Sequence, residues 1–284
     1  MVELLRHEVR FGELSFGPLM HNATWFDLLI EATEELSYEL GYTVEEIVAA
    51  GGVPYAPVAI HAELAEYPRY EDTVVVDAEP VSVGDNHVQF RYRFGRASDG
   101  ATFGTATMVQ ATITPEGAAE SVSEELRREL ESLASDDGEP VEIAARSPGG
   151  DGPRLERDVV FRTPHIEAAG LGYFEDYARE LSICLEEFLA ERGRSMGSLT
   201  DGTYPFVPVG WDCTLERSIR FEDEIGVVGR VLDADERSVE IAYELRRPAT
   251  DDVCIRADLT YGCFDGEGAR VAFPREALAA VGAD

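Results

Sequence analysis

PYAPVAIHAELAEYPRYEDTV, from Pro54 to Val74, and PFVPVGWDCTLERSIRFEDEI, from Pro205 to Ile225, align without a gap at an offset of 151 residues. Identities fall at Pro54/Pro205, Pro57/Pro208, Val58/Val209, Leu64/Leu215, Arg69/Arg220, Glu71/Glu222 and Asp72/Asp223. The same offset pairs Tyr92 with Tyr243, Arg96 with Arg247 and Ala106 with Ala257. This predicts a duplicated chain, since the period is too long for a solenoid and two copies are too few for a propeller. Two domains are expected, residues 1–134 and 155–284. An acidic Gly/Pro linker over 135–154 joins them, where SDDGEP and RSPGGDGPR concentrate turn-forming residues.

Outward from that repeat, each copy reads in the same order. HEVRF and RDVVF look like short strands that lead through a polar loop into a helix, and several strands follow. In the second copy Phe174, Tyr177, Ala178, Leu181, Leu185 and Phe188 recur at three- and four-residue steps, and Arg192-Gly193 supplies a stop. The first counterpart is expected from about Ala23 to Leu40. Its apolar residues (Trp25, Phe26, Leu28, Leu29, Ile30) surround much of the helix, which predicts burial on more than one side, as under a sheet wrapped around it. HVQFRYRFGR and SVEIAYELRR show the near-alternation of strands, so the expected class is α+β with antiparallel sheets.

Composition limits the partners. The 284 residues carry 56 acidic and 24 basic side chains, a formal charge of −32, and every basic residue is arginine. This resembles the composition of a protein from a salt-loving archaeon, where molar salt shortens the Debye length to about 3 Å and quenches self-repulsion. No basic stripe is present, which argues against nucleic-acid binding. No apolar run reaches the ~18 residues of a membrane span, and MVELLRHEVR lacks the pattern of a signal peptide, so a cytoplasmic location is expected. Cys184, Cys213, Cys254 and Cys263 show no CxxC spacing and read as buried thiols. The five scattered histidines predict no metal site.

With these residues in view, the chain resembles the hotdog fold, and within it the 4-hydroxybenzoyl-CoA and acyl-CoA thioesterase branch. VRFGELSFGPLMHNATWFDLLIEATEEL is similar to that branch's approach to its central helix, and RYEDTV to the segment opening its third strand. The resemblance implies a tandem (double) hotdog whose two copies pair within one chain, leaving room for a homodimer. Active sites are then expected between the copies, near each helix N-terminus. The branch places an Asp in the loop before the helix. Ser15 matches that position in the first copy, and His165 matches it when RDVVF is laid on HEVRF. The last Asn of the branch's Gly-His-Val-Asn-Asn run is matched by Asn22.

Thioester hydrolysis needs a base for water and donors for an oxyanion, and a helix N-terminus supplies the donors. His165 is the first candidate for the base because it titrates near neutrality. Glu13, His21 and Glu167 are alternatives in the same loops. His61 and Asp212, at equivalent strand positions, could reach across the interface. Asn22 and Ser15 are candidate substrate contacts, although His21-Asn22 can equally serve as a helix cap. Arg69, Arg96, Arg220 and Arg247 are candidates for the phosphates of coenzyme A. The function so implied is hydrolysis of an acyl-CoA or acyl-carrier thioester without a metal or redox cofactor. The alternatives are a hotdog hydratase or dehydratase, and a non-catalytic acyl-CoA or lipid binder.

Overall fold

The structure is a computed structural model that describes residues 1–15, 17–41, 43–49, 53–114, 117–134 and 139–282. The first half runs β1 (Val2–Glu8), a 3-10 turn (Phe11–Glu13), α1 (Asn22–Glu39), α2 (Val44–Ala49), β2 (Val53–Leu64), β3 (Thr73–Val83), β4 (Val88–Arg96), β5 (Thr102–Ile113) and α3 (Glu124–Leu133). The second half opens in the same order with β6 (Arg154–Val160), a 3-10 turn (Thr163–His165), α4 (Phe174–Glu191), α5 (Met196–Leu199) and β7 (Thr203–Leu215). It continues through β8 (Glu224–Ala234), β9 (Val239–Arg247), β10 (Asp252–Asp265), β11 (Arg270–Val271) and α6 (Arg275–Ala280).

The strands form one antiparallel sheet in the order β1-β3-β4-β5-β2-β7-β10-β9-β8-β6, with β11 on β10. β2 and β7 join the halves at its centre, where His61 lies directly opposite Asp212. Alternation sets the faces. Ile225, Val227, Gly229 and Val231 of β8 are buried, and the residues between them are partly exposed.

No Gly or Pro interrupts α1, and it buries Trp25, Phe26, Leu28, Leu29, Ala32 and Leu36 against the sheet and against α4. Each such side chain contributes about 1.5–3 kcal/mol on burial. The helices meet where the Phe26 ring stands edge-on to Phe174, with centroids 4.9 Å apart. Gly41 (φ 78°) follows α1, and Gly193 (φ 71°) follows α4, where the left-handed backbone ends each helix.

The repeated R-aromatic-E-D motif has a local cause. The carboxylates of Asp72 and Asp223 accept the backbone N–H of Arg69 and Arg220, each at 2.8 Å, and Glu71 and Glu222 both adopt φ 67°. Of the linker residues, 135–138 lie outside the described set. Residues 139–153 have no helix or strand yet cross the sheet face away from the helices. There Val141 pairs with the Gln89 amide, Arg146 with Asp258 at 2.8 Å and Glu240 at 3.0 Å, and Arg230 donates to the Gly152 carbonyl at 2.6 Å. Among the described residues no helix is long and apolar enough to cross a membrane.

Candidate functional site

The N-termini of the two central helices lie in unlike surroundings. At α1 the His21 ring caps the helix, its Nδ1 accepting the Ala23 N–H at 3.1 Å. This end faces a cavity of only about 70 Å³, room for a water or two, lined by Ser15, His21, Asn22, Ser182 and Tyr204 among others. Tyr204 closes it. Its ring lies so close to Gly17 (φ 128°) that a Cβ there would stand 2.1 Å from it. At α4 the N-cap is Tyr173, which makes no side-chain cap, and the helix opens onto a cleft of about 1040 Å³. That is the size of a ligand site.

The cleft is built by both halves. α1 and the first half's strands supply apolar wall residues such as Leu28, Ile30, Val58 and Ile113, and the second half supplies Arg217, Arg220 and Arg247. Glu13, Glu167 and Glu175 also face it. Tyr177, at the floor, donates its hydroxyl to the Gly172 carbonyl at 3.0 Å and so ties down the loop that carries Glu167.

Backbone hydrogen bonds define which loop residues correspond. Glu13 N–H bonds Arg10 O and His165 N–H bonds Arg162 O; Ser15 N–H bonds Leu19 O and Glu167 N–H bonds Leu171 O; His21 N–H bonds Glu13 O and Tyr173 N–H bonds His165 O. The equivalent of Ser15 is therefore Glu167, not His165, which corresponds to Glu13. The His165 ring spends Nδ1 on the Arg162 N–H at 3.0 Å, stands against Phe161, and lines neither cavity. The structure thus sets His165 apart from the cleft that Glu167 faces.

The other candidates separate cleanly. Ser15, His21 and Asn22 gather at the small cavity, while Glu13, Glu167, Arg220 and Arg247 gather at the cleft. Glu13 accepts the Arg10 N–H at 2.8 Å and meets His7 at 2.9 Å. Arg247 reaches Asp223 at 2.7 Å and the Ser218 carbonyl at 2.6 Å. His61 and Asp212 pair at 2.8 Å on the sheet face away from the helices and touch neither cavity. Arg69 is held by Glu267 at 2.5 Å, and Arg96 by Glu66 at 2.5 Å and Asp99 at 3.2 Å, again outside both cavities.

Electrostatics single out further residues. Burial pushes the Glu175 carboxyl up to about 7, with its own amide and Arg179 opposing and the acids Asp27 and Asp176 assisting. Burial also raises Glu167, with Glu34 across the cleft adding to it, and raises Asp27 and Glu34. His21 is lowered by burial and then by Arg179. Glu175 was missed in the sequence because acids in a first helical turn are ordinary, and the cleft it faces is completed by the other half of the chain.

A shared antiparallel sheet wrapped around two central helices, with the helix N-termini facing the junction between halves, defines a double hotdog. The solved structures agree. Over 90% of the chain it superposes on 93% of a protein assigned as an oleoyl thioesterase from Lactobacillus plantarum, with TM-score 0.75 and 15% identity. A 12:0-ACP thioesterase from Umbellularia californica gives TM-score 0.70 at 12% identity, covering 90% of this chain and 92% of that one. An acyl-ACP thioesterase from Bacteroides thetaiotaomicron gives 0.67 at 10%, covering 90% and 96%. At such identities the likeness is one of fold. No protein-family model and no curated protein matches the sequence.

Proposed function

We propose that the chain hydrolyses an acyl thioester in the cleft at the α4 N-terminus. The observation that carries this reading is the place of Glu167: an acid in the loop before the helix, tied by Tyr177, half-buried, and facing a cleft large enough for a substrate. The ionised Glu167 carboxylate takes a proton from water as the water oxygen attacks the thioester carbonyl. The oxyanion that forms faces the first amides of α4, where a helix end carries partial positive charge. As the tetrahedral species collapses, the C–S bond breaks and the thiolate takes the proton held by Glu167. This scheme needs no metal or redox group.

Glu175 has a complementary part. In the first turn of α4 an ionised carboxylate would repel the oxyanion, and burial keeps this one protonated up to about pH 7. The apolar wall contributed by the first half suits the acyl chain. Arg217, Arg220 and Arg247 suit the phosphates of coenzyme A or of a carrier's phosphopantetheine arm.

Thiol release from a panel of acyl-CoA esters tests the reading, with Glu167→Gln as the comparison. Loss of about 10²–10⁴-fold in turnover is expected for removal of a general base. Turnover that Glu167→Gln leaves intact, or no thiol from any ester, would sink it.

A further inference from the structure

The scheme above leaves Arg179, near the α4 N-terminus, without a role. Arg179 lies one turn along the helix, at the three- and four-residue spacings that bring side chains together. Its Nη1 is 2.5 Å from Asp176 Oδ1 and 3.8 Å from Glu175 Oε1. Asp176 is buried, and its second oxygen has no hydrogen-bond partner, so the guanidinium is what holds that carboxylate. From α1, Asp27 acts through its charge on both Glu175 and Arg179, so three acids on two helices share the field of one cation. The field of Arg179 also reaches His21 at the closed end.

We infer that Arg179 is the positioning residue of this site: clamped on the buried Asp176, it fixes the Glu175 carboxyl along the first turn of α4, where that side chain faces the cleft. The inference rests on the cleft being the thioester site, but its central claim concerns Glu175 and can be read without turnover. The charged groups acting on Glu175 are Asp176 and Arg179 on its own helix and Asp27 on α1. Arg179 favours the carboxylate, whereas Asp27 and Asp176 oppose it. Removing the cation must therefore delay ionisation, and removing Asp27 must advance it.

The experiment is a carboxyl ¹³C titration of glutamate-labelled protein, with the Glu175 resonance assigned by Glu175→Gln. In Arg179→Gln the midpoint of Glu175 is expected to rise by about one pH unit, and in Arg179→Lys to return most of the way, because the lysine keeps the charge. Asp27→Asn is expected to lower it. On an acyl-CoA ester, the pH at which kcat declines should move with that midpoint while KM changes little, which a purely structural role would not produce. A midpoint unmoved in Arg179→Gln, or moved equally in Arg179→Lys and Arg179→Gln, overturns the inference. Shifted midpoints in a protein that releases no thiol would uphold the role of Arg179 on Glu175 and reject the hydrolase reading.

Discussion

Replacing Glu175 by Gln should make the protein more stable at alkaline pH, and the size follows from the site. A carboxyl that ionises near 7 in the fold, against about 4.5 free, disfavours the fold by about 3 kcal/mol once ionised, at roughly 1.4 kcal/mol per pH unit. The side chain is 17% exposed and Arg179 beside it is 41% exposed, so screening reduces the effect to about 1–2 kcal/mol. The sign follows from proton binding. Between about pH 4.5 and 7 the folded chain holds this proton more tightly than the unfolded one, so stability falls as pH rises through that window and stays lower above it. Gln never ionises, so Glu175→Gln gains fully above about pH 7 and gains little near pH 4.5. Thermal unfolding followed by circular dichroism across this range is the assay, with an expected rise in Tm of about 2–6 °C at the alkaline end. A gain of equal size at both ends, or a loss at the alkaline end, would refute the reasoning. In a turnover assay the same variant should lose the alkaline decline.

Three other outcomes are expected. His61 is raised by its hydrogen bond to Asp212 against partial burial, so the pair stabilises the fold below the free imidazole value and loses this as pH rises through the higher folded value. His61→Gln should thus cost about 0.3–1 kcal/mol in denaturant titrations under mildly acidic conditions and nearly nothing under alkaline ones. Gly17→Ala places a methyl 2.1 Å from the Tyr204 ring at a φ of 128°, and chemical denaturation should show a loss of about 1–3 kcal/mol. With a net charge of −32, Tm should climb as KCl is raised from about 0.1 M to 1 M, because the Debye length shortens from about 10 to 3 Å; a flat or falling curve would show that repulsion is not a leading contribution.

Much of the fold was legible because it depends on local pattern. The helix expected over Ala23–Leu40 is Asn22–Glu39, and the stop read at Arg192-Gly193 is the left-handed end of α4. The repeated strand segment became β2 and β7, and its equivalent residues His61 and Asp212 meet face to face where the two halves of the sheet join. What was not legible depends on the other half of the chain. Nothing in GLGYFEDYAREL tells that Glu175 is buried in a cleft shared with α1, or that Tyr204 from β7 lines the small cavity at the end carrying Ser15, His21 and Asn22.

The misplacement of His165 has a more particular cause. Laying RDVVF on HEVRF equates Phe161 with Phe11, whereas the ladders pair Glu8 with Thr73 and Val160 with Glu224, which makes Val9 the true equivalent of Phe161. The error is two residues. A slip of one would have thrown every side chain of the strand onto the wrong face and betrayed itself in the apolar pattern, but a slip of two leaves each face as it was. Alternation is blind to it, and only contacts outside the strand resolve it: Glu13 and His165 occupy equivalent hydrogen-bonding positions, and so do Ser15 and Glu167. With the register corrected, the position that the resemblance gives to an acid is held by Glu167 in the second copy. It falls in the loop whose helix end is open to a cleft, while the copy with Ser15 in that position has the small cavity that Tyr204 lines.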